Sequence, residues 1–566
     1  MWALRSPARE GLLCAALAGV AAALLAWLAP PGGDLAAHLY QRLLFVSHGF
    51  TLWDDYWYAG RYSFVGYSVL YYPIAAVLGI RVLAVLEVAL AAGAFALLLE
   101  REWGSPARWA SRAFALLWAG VLITGEFPFA LGVALALLAL LALQSGHHWG
   151  FAVLTLLTLA ASPVALVLLG AVLAGVALSR RAPLRRHRLP VLALAVAGAV
   201  ELLLLRLFPI GGTLGFPVSE AAPAIAFCLG GIALAWRVPR AGVLRGILAL
   251  YLVAIVVAWA IPSALGQDVT RMRLLSLPLV LLIAGLRGWR PLPVALTVVA
   301  LALAWNVGPL AGGWARGAAD TASNAVMWRE PVAYLHAHLR PGYRVEAVDT
   351  TEHWPAFYLA RARIPIVRGW FRQDDFPLDA LLYKRLSPAA YLRWLRKLGV
   401  AYVVLTRSPP DYSSQREAAL VRSDRVHLPL VFATRKVSIY AVPRPQPIVT
   451  GPGRPVVLSL RESRLVARLP RAGTYRIAVR WSPYWSTTTG CLARTSEGML
   501  RLRTRQAATV RIGFDVDAGA LLRALAGTAP SCRYPTSRTS SSSGLRFARS
   551  DHSPALRFAG FRGLAG

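Results

Sequence analysis

The sequence concentrates acidic and aromatic side chains between His48 and Pro73, in HGFTLWDDYWYAGRYSFVGYSVLYYP. This stretch holds two adjacent acids, Asp54 and Asp55, one arginine, Arg61, and eight tyrosines or tryptophans. Carboxylates can accept or deliver a proton in a reaction. A belt of Trp and Tyr at a membrane surface is the alternative interpretation. It explains scattered rings, but it explains less well an Asp-Asp pair embedded among them.

Other candidate residues surround this stretch. Asp34 and His38 come before it, and their spacing of four residues places them on one face of a helix. The two tryptophans of the stretch, Trp53 and Trp57, are candidates for substrate binding together with Arg61.

Two arginines open a later apolar segment. Arg271 and Arg273 stand in TRMRLL, and the planar fork of Arg matches phosphate oxygens. The alternative is an interfacial pair whose charged ends reach into water. Glu126, in the turn GEFPF, either lines the same cleft or is solvated.

The composition places these residues in a membrane protein. The chain has 566 residues and a mean hydropathy of +0.52, too apolar and too long for one soluble domain. A membrane helix needs about 20 apolar residues. We therefore predict about eleven spans: 11–29, 81–99, 113–124, 128–144, 149–162, 164–179, 189–208, 222–236, 244–265, 272–286 and 292–310.

Arginine asymmetry orients these spans. The alternate connecting segments that begin with the N-terminus together carry more arginines than the others, most densely in SRRAPLRRHR, from Ser179 to Arg188. Cytoplasmic loops carry the excess of basic residues. We therefore predict a cytoplasmic N-terminus in a plasma (inner) membrane. The loop 30–67 and everything after about Gly312 are then extracytoplasmic.

The region after the last span is no longer membrane-like. Helix and strand patterns alternate over 325–444, which predicts a soluble α/β module. Alternating strands over 445–517 predict a small β-sandwich. The segment 530–566 has the composition of a disordered tail. Cys491 and Cys532 could pair in an oxidising compartment.

The formal charge of +33 does not by itself indicate nucleic acid as a partner. Nucleic-acid binding needs a basic face with a recognisable reading module. No such module is found, and the arginines lie mostly at the ends of apolar segments. A GC-rich genome is a simpler source of many of them.

Three blocks resemble one family of membrane enzymes. GDLAAHLYQRLLF…TLWDDYWYAGRYSFVGYSVLYYPIAAVLG is similar to the first extracytoplasmic loop of GT-C superfamily glycosyltransferases, and most similar to a bacterial branch of uncharacterised multi-span relatives. TGEFPFALGVALALLALLAL and QDVTRMRLLSLPLVLL resemble later parts of the same branch. The resemblance covers roughly 1–310. In two places the sequence departs from the pattern, at Arg61 and at Ser162-Pro163, where Gly-Tyr-Pro and His-Pro are common.

This resemblance implies a GT-C-like membrane domain over 1–312 and transfer of a sugar from a polyprenyl-phosphate donor. The acceptor would be a glycan, lipid or protein of the cell envelope, and the membrane lipid is a further partner. By the resemblance, Asp34 is the base that takes the acceptor's proton. Asp54 and Asp55 are the next catalytic candidates, and His38, Glu126 and the two arginines of TRMRLL bind substrate. No cofactor is expected, although a divalent metal at the Asp pair stays open.

Two other functions stay open. One is a non-catalytic scaffold or glycan-binding protein in envelope assembly. The other is a transporter or flippase, because Glu87 and Glu201 fall inside apolar spans, where acids are rare and usually functional. A transporter should place paired acids near mid-membrane, whereas most acids on the outer side here lie in one loop.

Overall fold

The computed structural model describes residues 6–180, 188–209, 211–375 and 378–527. Long apolar helices occupy the chain to Ala319, and an α/β module and a β-sandwich follow. The predicted tail 530–566 and Cys532 lie outside the described residues, so the pairing with Cys491 stays a prediction.

Fourteen α-helices form the first part of the described chain. They are α1 (Ser6–Leu28), α2 (Leu35–His48), α3 (Tyr71–Leu78), α4 (Ile80–Trp103), α5 (Arg108–Trp118), α6 (Val121–Thr124), α7 (Phe127–Gln144), α8 (His148–Ala161), α9 (Pro163–Arg180), α10 (Arg188–Leu207), α11 (Val218–Ala235), α12 (Gly242–Ala260), α13 (Ser276–Leu286) and α14 (Leu292–Ala319). A 3₁₀ segment, Gly266–Leu275, leads into α13.

Nine helical segments of the described chain are long and apolar enough to cross a membrane. The other two predicted spans, 113–124 and 149–162, fall below that length, although Glu126, Ser162 and Pro163 at their C-terminal ends line the same cavity. The first breaks at Ala119-Gly120 into α5 and the four-residue α6, which ends at left-handed Gly125. The second, α8, has only 14 residues, because Ser162 is extended before Pro163, where a helical conformation is disfavoured.

The α/β module contains helices α15 (Arg329–His338), α16 (Trp354–Arg361), α17 (Pro388–Lys397) and α18 (Gln415–Arg422), and strands β3 (Arg344–Ala347), β4 (Val400–Thr406), β5 (Leu430–Ala433) and β6 (Val437–Ala441). The sheet order is β3-β4-β6-β5, with β3 parallel to β4 and the other pairs antiparallel. The local sequence determines where these helices and strands begin and end. For example, Ser387 caps α17 by accepting a hydrogen bond from Ala390 N at 3.3 Å, and Pro388 opens it.

The β-sandwich stacks two four-stranded sheets, in the orders β12-β13-β10-β7 and β11-β14-β9-β8. Its strands are β7 (Val449–Thr450), β8 (Val456–Arg461), β9 (Arg464–Leu469), β10 (Gly473–Arg480), β11 (Trp485–Thr487), β12 (Cys491–Arg494), β13 (Met499–Thr504) and β14 (Ala508–Phe514), and the helix α19 (Ala518–Ala526) follows. In β13, Leu500 and Leu502 are buried while Arg501 and Arg503 are exposed. Successive side chains of a strand point to opposite faces of the sheet, so the buried leucines face the core of the sandwich and the arginines face outward.

The loop after α2 joins the three parts. Its short strands β1 (Trp53–Asp54) and β2 (Arg61–Tyr62) pair in an antiparallel hairpin. Trp53 enters the core of the β-sandwich, and Trp57 enters the core that α2 shares with the α/β module. The aromatic stretch therefore connects the membrane part to both modules through packed side chains.

Candidate active site

A cavity of about 790 Å³ lies where the helices meet the α/β module. Its polar residues come from distant parts of the chain: Asp34, Arg61, Glu126, Asp268, Arg271, His353, Arg372 and Asp374. Its apolar limb runs between α9 and α10. The cavity thus combines a charged chamber with a groove along two membrane helices.

Asp34 lies in this chamber at the start of α2. It occupies the N-cap position, but its side chain makes no capping hydrogen bond. Its Oδ1 instead accepts a hydrogen bond from Trp370 Nε1 at 2.7 Å. The backbone of Asp34 packs closely against Gly125, whose φ is +78°. A Cβ added to Gly125 would lie only 2.6 Å from Asp34 N, so this close approach requires glycine.

The surroundings of Asp34 prepare its carboxylate to accept a proton. Burial raises the pKa of Asp34 to about 6, and Arg271, His353 and the Trp370 hydrogen bond limit that rise. A general base works best when its pKa lies near the working pH. Asp34 is therefore ionised at neutral pH and still basic enough to take a proton.

Arg271 faces Asp34 across the chamber and is held by two acids. Its Nε and Nη2 donate to Asp268 Oδ1 at 3.1 and 3.0 Å, and Glu126 Oε1 lies 3.8 Å from Nε. The guanidinium lies over the ring of Phe129, 5.2 Å from its centroid. Nη1 has no hydrogen bond to the described residues, so it can donate to a ligand.

Arg61 lines the cavity beside a second acid. Its Nε donates to Asp374 Oδ2 at 2.9 Å, and Arg480 Nη1 donates to the other oxygen at 2.9 Å. The guanidinium stacks 3.6 Å from the centroid of Phe371. Its Nη1 is buried and has no partner among the described residues. This local group keeps a net positive charge, because two arginines share one carboxylate.

His353 and Arg372 complete the chamber, and neither was predicted from the sequence. His353 Nδ1 lies 2.5 Å from Asp349 Oδ2, and Arg372 Nη2 lies 2.7 Å from Asp411 Oδ1. Burial lowers the pKa of His353, but Asp349 outweighs it and holds that pKa above its ordinary value. The spacing of four residues between Asp349 and His353 is only a weak signal in a sequence.

The backbone of His353 has an uncommon conformation. His353 has a φ of 58° and a ψ of 24°, in the left-handed region, and directly precedes α16. Ten described residues other than glycine have a positive φ, and His adopts the left-handed region more readily than most residue types, so this conformation by itself assigns no role. This backbone conformation places the imidazole in the wall of the chamber.

The structure does not bring the Asp54-Asp55 pair into the cavity. Both carboxylates are completely buried at the junction of the modules. Asp54 Oδ1 accepts from Tyr56 N, and Asp55 Oδ1 accepts from Trp53 Nε1, both at 2.9 Å. Burial raises their pKa values to about 7 and 8. Asp34 is therefore the one predicted catalytic acid that lines the cavity.

Four predicted binding residues also lie elsewhere. Trp53 and Trp57 are core residues of the modules. His38 is buried behind Asp34, with Nδ1 3.1 Å from the Tyr72 hydroxyl, and burial and Arg271 lower its pKa to about 3, so it is neutral. Arg273 does not line this cavity. Its neighbour Arg271 does, because two residues along a helical turn point in different directions.

The apolar limb is open at two glycines. A Cβ built on Gly170 of α9 or on Gly198 of α10 meets nothing within 4 Å. Gly170 lies seven residues into its helix, about 10 Å from the end nearest the chamber. Glu201 of α10 lines the same limb. The limb therefore extends from the charged chamber into the depth of the membrane.

Among the described residues, no three His, Cys, Asp or Glu side chains are arranged to hold a metal ion. The divalent metal that was left open for the Asp54-Asp55 pair stays untested.

Comparisons with known proteins give a structural match. No protein-family model and no curated protein matches the chain. The chain is similar to the cryo-electron microscopy structure of the arabinofuranosyltransferase AftD from mycobacteria, with 17% identity and a TM-score of 0.47. The match covers 82% of this chain and 41% of that chain, so this chain spans less than half of the length of that enzyme.

Proposed function

We propose that this protein transfers a sugar from a polyprenyl-phosphate donor to an envelope acceptor, with Asp34 as the general base. One observation carries the proposal. A carboxylate with a pKa of about 6 shares a single cavity with guanidinium groups and with an apolar groove between two membrane helices. A donor with a charged head and a long hydrocarbon tail needs both environments side by side.

The reaction requires one proton transfer and one displacement. The ionised Asp34 accepts the proton of an acceptor hydroxyl. That oxygen bonds to the anomeric carbon of the sugar, and the bond from this carbon to the phosphate oxygen breaks. The electron pair leaves with the polyprenyl phosphate, and attack from the opposite face inverts the anomeric centre. Trp370 holds the carboxylate in place through the 2.7 Å hydrogen bond.

The phosphate head would lie among the cations of the chamber. Nη1 of Arg271 is the free donor, and Arg61 and His353, whose pKa Asp349 raises, line the same cavity. The acids paired with each arginine fix its orientation in advance, which is how preorganised groups stabilise developing charge. Glu126 and Asp268 act in this way on Arg271.

The membrane placement belongs to the same proposal. The chamber lies on the side of the bundle that carries both modules, and we place that side outside the cytoplasm with the N-terminus inside. The arginine asymmetry of the connecting segments supports this orientation. The acceptor, whether a glycan, a lipid or a protein, would then meet the donor at the outer face.

The shape of the cavity weighs against a transporter. The end of α10 nearest the chamber is Leu207. From there the cavity follows the helix for about 20 Å, and Leu194 is the last residue of α10 that lines it. A solute pathway has to continue to the opposite face. Among the described lining residues none lies at the Arg188 end of α10, so the cavity fits a substrate that enters from one side.

The direct test is sugar transfer by the purified protein in liposomes. The donors are synthetic prenyl-phosphate-linked pentoses and hexoses with labelled sugars, and the acceptor is an envelope fraction from cells lacking the protein. We expect labelled envelope product together with free prenyl phosphate from at least one donor. The absence of product from every donor, while the protein still binds envelope fraction, would favour the scaffold function.

Filling the apolar limb should affect long donors selectively. Gly198→Leu adds a side chain where the structure has space, and a helix tolerates the change well. We expect KM to rise about tenfold for a donor with a long prenyl chain and to stay unchanged for a short-chain donor. Gly230→Leu in α11 is the matched control, because this glycine is also open but does not line the cavity. Equal KM changes for both chain lengths would contradict a lipid groove.

His353→Gln should remove the alkaline limb of the pH profile. The groups facing His353 are Asp349, Arg372, Asp411, Asp34 and Glu352. Activity needs Asp34 ionised and His353 protonated, so the rate of the wild type should rise through about pH 6 and fall again above it. We expect the variant to be slower by on the order of 10²-fold and to lack the fall at high pH. A slower variant with an unchanged profile would mean that His353 has only a structural role.

A further inference from the structure

A second pocket lies at the opposite end of the helix bundle. It has a volume of about 420 Å³ and is lined by Leu229, Ile232, Ala233, Trp236, Arg237 and Arg287. Three of these residues lie in the last turns of α11, Trp236 and Arg237 directly follow that helix, and Arg287 directly follows α13. A smaller hollow beside it shares Arg287 and adds Arg290. Neither hollow shares a lining residue with the cavity of Asp34.

The mouth of this pocket is strongly basic. The segments 236–245 and 286–291 contain five arginines and neither Asp nor Glu. Some are tied to the backbone: Arg240 Nη2 donates to Trp103 O at 2.7 Å and Arg287 Nη1 to Leu234 O at 2.7 Å. Arg237 makes no hydrogen bond or ion pair with the described residues. Neither Arg237 nor Arg287, the two arginines that line the pocket, forms an ion pair with a carboxylate of the described residues.

The wall of the pocket is apolar and reaches into the membrane. Leu229 lies six residues before Ala235, about 9 Å inside the end of α11, and 53% of its side chain is exposed. Trp236 is 69% exposed at the boundary, where tryptophans prefer to lie. The site thus has cations at the depth of lipid headgroups and a hydrocarbon-lined wall directly below them.

We propose that this pocket binds one anionic phospholipid of the adjacent leaflet, with its phosphate between Arg237 and Arg287. One acyl chain lies along Leu229 and Ile232. Basic pockets between membrane helices bind such headgroups. The apolar wall selects the lipid over a free phosphate, because only an acyl chain gains from covering that wall. This inference goes beyond the sugar transfer and does not depend on it.

Lipid retention tests the site. The full chain is reconstituted in nanodiscs with equal phosphatidylglycerol and phosphatidylcholine of identical acyl chains, released into detergent, and weighed by native mass spectrometry. We expect the wild type to retain phosphatidylglycerol preferentially. Arg237→Gln should weaken that retention about fivefold, from the usual contribution of one arginine near a charged lipid surface.

Arg188→Gln is the matched control, since Arg188 is exposed at the same end of the bundle and outside the pocket. We expect it to retain phosphatidylglycerol like the wild type. Folding is checked by the melting temperature, which Arg237→Gln should leave unchanged in phosphatidylcholine alone. Equal retention by Arg237→Gln and the wild type, or equal retention of the two lipids, would overturn the proposal. Displacement of the lipid by millimolar glycerol phosphate would show a site for a free anion and would also overturn it.

Discussion

Asp34→Asn should reduce sugar transfer by about 10²–10⁴-fold, the usual contribution of a general base. Asparagine has nearly the shape of aspartate, and its side-chain oxygen can still accept the Trp370 hydrogen bond. What is lost is the ability to take the proton of the acceptor hydroxyl. The measurement is kcat for transfer of labelled sugar in liposomes, with the KM of the donor expected to change little.

Asp54→Asn is the matched control for this prediction. Asp54 is also a buried aspartate with a raised pKa, but it does not line the cavity. We expect this variant to keep kcat within a few-fold of the wild type. If both variants are as active as the wild type, Asp34 is not the base. If only Asp54→Asn is inactive, the chemistry lies in the aromatic stretch instead.

Stability separates lost chemistry from misfolding in the Asp34 variant. Burial raises the pKa of Asp34 to about 6, so the folded state holds a proton that the unfolded state has released above pH 4. The stability of the wild type therefore falls as pH rises from about 4 to about 6. The asparagine side chain of the variant cannot ionise, so we expect Asp34→Asn to melt a few degrees higher than the wild type at pH 7 and at the same temperature below pH 4.

Trp53→Ala should unfold the junction between the membrane part and the β-sandwich. Trp53 is 2% exposed, and its ring stacks on Phe514 with 4.9 Å between centroids and meets the edges of Tyr62 and Trp485. Truncation of a buried Trp usually destabilises by about 3–5 kcal/mol. The change also leaves the buried Asp55 Oδ1 without its hydrogen-bond donor. We expect a lower melting temperature and rapid trypsin cleavage of the sandwich.

Two variants calibrate the Trp53 result. Trp53→Phe keeps most of the packing but loses the indole N–H. Its stability should therefore lie between that of the wild type and that of Trp53→Ala. Trp149→Ala should change nothing, because Trp149 is 76% exposed on α8. A Trp53→Ala protein with wild-type stability and a raised substrate KM would instead support direct substrate binding by this ring.

The sequence predicted the membrane part well because a span is a local property. Length and hydropathy alone decide whether a segment can cross a bilayer, and most predicted spans begin and end within a few residues of the helices observed. The segments 113–124 and 149–162 form shorter helices than a usual span, because a Gly turn and a proline end the apolar runs. The alternation of β13 and its neighbours likewise predicted a sandwich.

The role of the aromatic stretch could not be predicted from composition. Acids and rings in one loop suit either a ligand or a junction between modules, and the local sequence is the same in both cases. Contacts with residues some 300 to 460 positions away decide between them. Trp57 Nε1 donates to Ala356 O at 3.0 Å, and Trp53 packs on Phe514.

The sequence by itself thus determined the helices, the two modules that follow, and Asp34 at the exit of the first span. Only the tertiary structure decided which residues share a chamber with Asp34. Arg372 and His353 lie more than 300 residues after it, in a module whose own strands and helices carry no membrane signal. Hydropathy and helix periodicity report on neighbours within a few residues, whereas a charged chamber forms only when the packing of distant segments removes water around all of its groups together.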